Sequence, residues 1–223
     1  DKLRAAKYLP PVYSKDMFTW LAGSTMSTNG GTIETKDGVV LSVPIGALPY
    51  FQDNVDIFAY NDIEGMIDKM NLPQGAVAAS SPYFISLVTD FIKPAELKLP
   101  ATGNAYIYYY DEEIGALIYK GGSMSADKLS VTAQITKPGT YIALNYPQQI
   151  IFADIPSNYW GYDYVYGLNY LNIINGYNNN GIIDFKPDGK ITRAEFIKLL
   201  VASQNINISE AEELELKFAD LQD

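Results

Sequence analysis

The chain has 223 residues, no cysteine and no histidine, and 26 Asp and Glu against 16 Lys and Arg, a net charge of −10. Those absences exclude disulfides, thiol nucleophiles, thiolate metal sites, imidazole bases and the ordinary zinc site. The acidic balance argues against nucleic acid, which needs clustered cations, and no apolar run reaches the roughly 20 residues that span a bilayer.

The chain opens at Asp1 with neither methionine nor signal peptide. We therefore expect a mature or trimmed fragment with any export signal removed. Residues 1–29 include Pro10-Pro11 and Met17-Phe18-Thr19-Trp20. They are expected to pack onto the body that follows, because a tryptophan left in water forfeits its burial energy.

Residues 30–146 read as strands. The runs are Gly31–Thr35, Val39–Val43, Val55–Tyr60, Tyr83–Val88, Glu96–Leu99, Tyr106–Tyr110, Ala116–Lys120, Leu129–Ile135 and Tyr141–Leu144. Asp37-Gly38 between the first two is a hairpin signal, since glycine accepts positive φ. Turn material such as Thr102-Gly103-Asn104, Gly121-Gly122 and Lys137-Pro138-Gly139 separates most of the others. Many short strands at close spacing predict an antiparallel β-sandwich. Asp62–Met70 is the exception, a short helix with Asn61 as its expected N-cap. The 18 tyrosines, against 9 phenylalanines and 2 tryptophans, fit a strand-rich body better than a dedicated sugar-stacking surface.

After Pro147 the periodicity becomes helical. Trp160, Tyr164, Leu168 and Leu171 step by four, four and three and share one helix face. A loop rich in Asn and Gly runs from Asn175 to Gly181. Thr192-Arg193-Ala194-Glu195 is a capping box that starts a second helix, with Phe196, Leu199 and Leu200 on its apolar side. Phe152-Ala153-Asp154-Ile155 returns as Phe218-Ala219-Asp220-Leu221, which predicts a repeat with a second copy beginning there. The expected fold class is α+β multidomain. Its parts are a β-sandwich with an N-terminal extension over 1–148, a helix-loop-helix repeat over 149–207, and the start of a truncated second repeat over 208–223. The short junction Pro147-Gln148-Gln149 implies a fairly fixed relative orientation. Charge divides too: residues 1–150 carry 11 basic and 15 acidic side chains, net −4, and residues 151–223 carry 5 and 11, net −6. The acidic run Glu210, Glu212, Glu213 and Glu215 reads as a solvated helix face.

Two carboxylate groups invite an enzymatic or a metal reading, and the residues around each oppose it. Asp111-Glu112-Glu113 is the densest carboxylate cluster, but it falls at a hairpin tip. Exposed, adjacent carboxylates lack the burial of a general acid and cannot flank a sugar from two sides. Asp184 to Glu195 nearly fits a twelve-residue calcium loop, but Lys186 and Pro187 occupy positions three and four. No catalytic residue, metal ligand or cofactor is therefore assigned.

Phe152-Ala153-Asp154-Ile155, Tyr159-Trp160, Leu168, Ile173-Ile174-Asn175-Gly176-Tyr177, Phe185-Lys186-Pro187 and Ile191-Thr192-Arg193-Ala194-Glu195-Phe196 resemble, in order and spacing, the S-layer homology (SLH) repeat of bacterial cell-surface proteins. The resemblance covers about residues 151–203. It implies repeats packed in threes that hold an exported, non-enzymatic protein to secondary cell-wall polysaccharide, often pyruvylated. It implies no nucleic acid and no membrane insertion. Self-association through the repeats, without glycan, is the competing expectation. The glycan-binding residues implied are Arg193, Asp154, Trp160, Gly176 and Tyr177, with Thr192, Glu195 and Phe196 structural. A guanidinium in the first turn of a helix can take a sugar carboxylate bidentately beside free backbone N–H groups. Each assignment has an alternative: Trp160 as core, Gly176 as a plain turn, Arg193 paired with a carboxylate. If the groove forms between repeats, one complete repeat leaves it unfinished.

Separately, Gly30-Gly31-Thr32-Ile33, Gly38–Pro49, Lys93–Leu97 and Gly139-Thr140-Tyr141 resemble the β-sandwich domain shared by zonula-occludens proteins, netrin receptors and ankyrins. Such a domain would be a spacer or interaction module without catalytic residues.

Overall fold

A computed structural model describes residues 16–203, apart from 50–52, 148–149, 157 and 172. The chain divides into two compact units, Asp1–Ile151 and Phe152–Asp223. The expected extension before residue 16, including Pro10-Pro11, and everything expected after residue 203 lie outside the described residues. That covers the Phe218–Leu221 echo, the acidic run and the truncated second repeat.

The described residues of the first unit form eleven antiparallel strands: β1 (Phe18–Met26), β2 (Gly31–Glu34), β3 (Val40–Val43), β4 (Asp53–Tyr60), β5 (Tyr83–Ser86), β6 (Ala95–Pro100), β7 (Tyr106–Asp111), β8 (Ala116–Gly121), β9 (Ser123–Met124), β10 (Ser130–Ile135) and β11 (Gly139–Leu144). They form a six-stranded sheet, β1-β4-β5-β11-β7-β8, and a five-stranded sheet, β2-β3-β6-β10-β9. The sandwich core is made of the alternate residues that each strand turns inward. Leu97 and Leu99 of β6 and Val131 and Ile135 of β10 meet Val55 and Ile57 of β4 and Ile107 of β7. The Asp37-Gly38 signal holds: β2 and β3 pair from Gly31↔Val43 to Glu34↔Val40, and the turn is closed by Val39 N–H donating to the Thr35 hydroxyl at 3.0 Å.

The central strand β11 is buried along all but its first residue. Helix α1 (Ile63–Met70) buries Met66 and Met70 and is tied to the neighbouring strand β7, where the Tyr110 hydroxyl donates to the Lys69 carbonyl at 3.2 Å. The helix begins one residue later than the sequence suggested. Asp62 is the cap, its carboxylate accepting from Gly65 N–H at 2.9 Å, while the Asn61 amide donates to the Asp16 carbonyl instead. The triple carboxylate Asp111-Glu112-Glu113 sits at the β7–β8 hairpin tip as expected, with Glu112 paired to Lys69 at 3.3 Å.

Two expectations about the N-terminal stretch need correction. Residues 18–26 are a full strand, β1, paired with β4 along its length at the edge of the larger sheet. Trp20 is not packed away: it is 57% exposed, and its indole N–H donates to Asp56 Oδ1 at 2.9 Å.

The second unit contains α2 (Tyr162–Tyr170), a hairpin of β12 (Tyr177–Asn179) and β13 (Ile182–Asp184), and α3 (Arg193–Ser203). The stretch read as a loop is therefore partly strand. Asn180 and Gly181, at φ +52° and +88°, make the two-residue turn between β12 and β13. Among the described residues the unit's buried apolar side chains are Phe152, Ile155, Val165 and Tyr166. Phe152 is the centre: its ring lies 5.4 Å from that of Tyr166 and 5.9 Å from that of Phe185, and its N–H donates to the Tyr166 hydroxyl at 3.1 Å. The helix α2 starts after Trp160 rather than at it. Its buried side is Val165-Tyr166-Gly167, while the Trp160, Tyr164, Leu168 and Leu171 face is exposed. The apolar side of α3 is likewise open, since none of its residues is buried.

Candidate functional site

The segment Asn175–Tyr177 enters the hairpin through a glycine that nothing else can replace cheaply. Gly176 has φ +69°, and a β-carbon there would fall 2.5 Å from Phe152 Cε1 and 2.7 Å from the Asp184 carbonyl oxygen. Gly176 thus lets the chain close over the core ring and delivers Tyr177 to the surface. Asp154 acts from the other side of the same loop. Its two carboxylate oxygens accept from Phe185 N–H at 2.8 Å and Lys186 N–H at 2.7 Å, which pins the strand end to the first turn of the unit. Both candidates hold backbone in place.

The capping box forms as its spacing requires. Glu195 N–H donates to the Thr192 hydroxyl at 3.2 Å, and Thr192 N–H donates to Glu195 Oε2 at 2.7 Å. The remaining Glu195 oxygen accepts from the Tyr177 hydroxyl at 2.6 Å. This last bond ties hairpin to helix and was not foreseen from the sequence. The Tyr177 hydroxyl, followed by the Thr192 N–H, holds the Glu195 carboxyl down to about 2, and the same contact raises the Tyr177 hydroxyl. Glu195 is therefore an anion engaged on both oxygens.

Between hairpin, loop and α3 lies a groove of about 490 Å³. Gly176, Tyr177, Thr192 and Glu195 line it, together with Lys186, Lys190 and Lys198. Three ammonium groups against one carboxylate give the groove a net positive lining in a chain of charge −10. The Lys186 ammonium stands 4.6 Å from the centre of the Tyr177 ring, a cation–π distance. The lysines were missed in the sequence. One signal was available: Lys198 follows Glu195 by three residues, so both share a helix face.

Arg193 and Phe196 stand on a different face of α3. Thr192, Glu195 and Leu199 turn to the groove, whereas Arg193, Phe196, Ile197 and Leu200 form a separate exposed stripe at i, i+3, i+4 and i+7. Arg193 has no ion pair or hydrogen bond with another described residue, so the alternative of a paired arginine finds no support there. Trp160 is 82% exposed and so is not core of the described unit. Of the five glycan candidates, the fold brings Gly176 and Tyr177 to one groove; Arg193, Trp160 and Asp154 are not among its lining residues.

Residues 151–197 match the S-layer homology domain. No curated protein matches the chain. The chain therefore carries an S-layer homology domain, a non-catalytic anchoring module that places its protein at the bacterial cell surface or cell wall. No helix among the described residues is long and apolar enough to cross a membrane.

Proposed function

We propose that the S-layer homology unit holds this protein to an anionic, pyruvylated secondary cell-wall polysaccharide, and that the β-sandwich serves as spacer or interaction module. The observation that carries the proposal is the groove with Lys186, Lys190 and Lys198 on its wall. A sugar carboxylate exchanges water for ammonium donors there, and such charge-assisted bonds are stronger than neutral ones. Tyr177 offers a ring face to the sugar, held in place by Glu195. Arg193 faces away from this groove, so its guanidinium serves a carboxylate bound where a neighbouring repeat completes a second groove.

The test is sedimentation of the protein with purified cell-wall sacculi, before and after acid extraction of wall polysaccharide. Binding should vanish after extraction, and Lys186→Ala/Lys190→Ala/Lys198→Ala should weaken it about tenfold or more. Undiminished binding to extracted sacculi would refute the glycan reading.

A second reading is assembly through protein contacts. It is favoured by the exposed stripes Phe196-Ile197-Leu200 on α3 and Tyr164-Leu168 on α2, apolar faces of the kind a neighbouring repeat buries. Binding to extracted sacculi, together with concentration-dependent association in solution, would favour it.

A further inference from the structure

The sheet edge around Trp20 carries a feature that wall anchoring does not use. Strand β1 has a bulge between Trp20 and Ala22. A bulge shifts the side-chain alternation and re-aims the residue beside it. Before it, Trp20 pairs with Phe58; after it, Gly23 pairs with Asp56 and Thr25 with Asn54. The indole is fixed by its N–H bond to Asp56 Oδ1 at 2.9 Å, and it stays 57% exposed. Gly23 makes room for this arrangement: any β-carbon there would collide with the Asp56 carboxylate and fall 3.2 Å from the indole nitrogen.

Around the ring the polar groups are of both kinds. Asp56 leaves its second carboxylate oxygen without a described partner. Asn54 accepts from the Thr25 hydroxyl at 2.8 Å and keeps its amide N–H groups free among the described residues. Asn54 and Asp56 are two residues apart, hence on one face and about 6.6 Å apart along the strand, close to the length of one hexose. We propose that Trp20, Asp56 and Asn54 form a binding platform for a neutral polysaccharide. The apolar face of a hexose stacks on the immobilised indole, its hydroxyls donate to Asp56 and accept from Asn54, and the carboxylate turns acidic glycans away. The ligand class thus differs from that of the lysine-lined groove, and this inference does not rest on the anionic-glycan reading.

The chain has only two tryptophans, so Trp160→Phe leaves Trp20 as the sole tryptophan, excited selectively over the tyrosines at the red edge of the absorption band. The probes are three neutral polymers, hydroxyethylcellulose, galactomannan and dextran, with polygalacturonate as the acidic comparison. In native affinity gels the intact chain should be retarded by at least one neutral polymer, and the Lys186→Ala/Lys190→Ala/Lys198→Ala protein, which lacks the cationic groove, should not be retarded by polygalacturonate. Trp20→Ala should weaken the retardation by the neutral polymer about tenfold, the size of losing one ring stack. Asp56→Asn, which keeps an acceptor for the indole, should lower it about threefold. The same neutral polymer should shield Trp20 from acrylamide in the Trp160→Phe protein. The Lys186→Ala/Lys190→Ala/Lys198→Ala protein should be retarded by the neutral polymer as before, which separates this site from the groove. An unchanged melting temperature of Trp20→Ala shows that the loss is one of binding; Trp20→Phe, keeping a ring, should retain part of it. The proposal is overturned by no retardation in any neutral polymer, by retardation that survives Trp20→Ala, by retardation in polygalacturonate alone, or by a Trp20 already shielded from acrylamide without glycan.

Discussion

Single residues decide whether the second unit holds its shape. At Gly176 two penalties coincide, positive φ and a collision with Phe152. Gly176→Ala should destabilise the unit by about 2 kcal/mol or more, read as faster amide exchange across residues 152–186 of the intact chain. Gly38, at φ +86° with open space around it, should lose only about 1 kcal/mol on the same change. Glu195 is the titrating counterpart. Its folded value, about 2, lies below the ordinary 4.5, so the stabilisation it brings is present above pH 4.5 and is lost as pH falls toward 2. The protection of the Thr192 amide, measured against its intrinsic exchange rate at each pH, should therefore fall within that window. Glu195→Gln should remove the transition, and Tyr177→Phe, which deletes the largest cause, should move it upward in pH.

At the scale of elements, helix α1 and helix α3 are held by different forces. The first buries Met66 and Met70. Met70 is fully buried, so Met70→Ala should cost about 3 kcal/mol in denaturant unfolding followed by Trp20 fluorescence in the Trp160→Phe chain. The Lys69–Glu112 pair over the same helix is half exposed on both sides, so Glu112→Gln should cost less than about 0.5 kcal/mol. Helix α3 buries no residue and is organised by its capping box. Thr192→Ala should accordingly lower amide protection along the first turn of α3, by an amount close to the ~1 kcal/mol of a lost N-cap.

For the whole molecule, charge distribution matters more than charge total. A net −10 opposes polyanions at long range, yet three lysines concentrated in one groove dominate within a Debye length. Binding to intact sacculi should therefore weaken as salt rises from 50 to 500 mM, and the triple lysine variant should lose most of that dependence. The exposed stripes on α2 and α3 belong to this scale as well. Among the described residues the unit buries Phe152, Ile155, Val165 and Tyr166 while these stripes stay exposed, so covering the stripes should raise its stability.

Much of the fold was legible in the sequence where the signal was local. The Asp37-Gly38 turn, the Thr192–Glu195 box and the alternation within β6 and β10 are each set by residues a few positions apart. Strand β1 was not legible, because its bulge breaks the alternation and its pairing partners, from Met26↔Asp53 to Phe18↔Tyr60, are distant along the chain. The β12–β13 hairpin was missed although Asn180-Gly181 is a hairpin signal, since the surrounding asparagines masked it as loop. The site was legible only in part. Sequence alone determined that the chain has no thiol or imidazole chemistry, that a β-rich part precedes a helical one, and that Gly176, Tyr177, Thr192 and Glu195 belong to one motif. Only the tertiary structure decided that Tyr177 bonds Glu195, that three lysines share the groove while Arg193 turns away, and that Trp20 stays in solvent on Asp56. The reason is physical: turns and caps are settled by neighbours along the chain, whereas exposure and convergence of charge depend on which distant segments fold against each other.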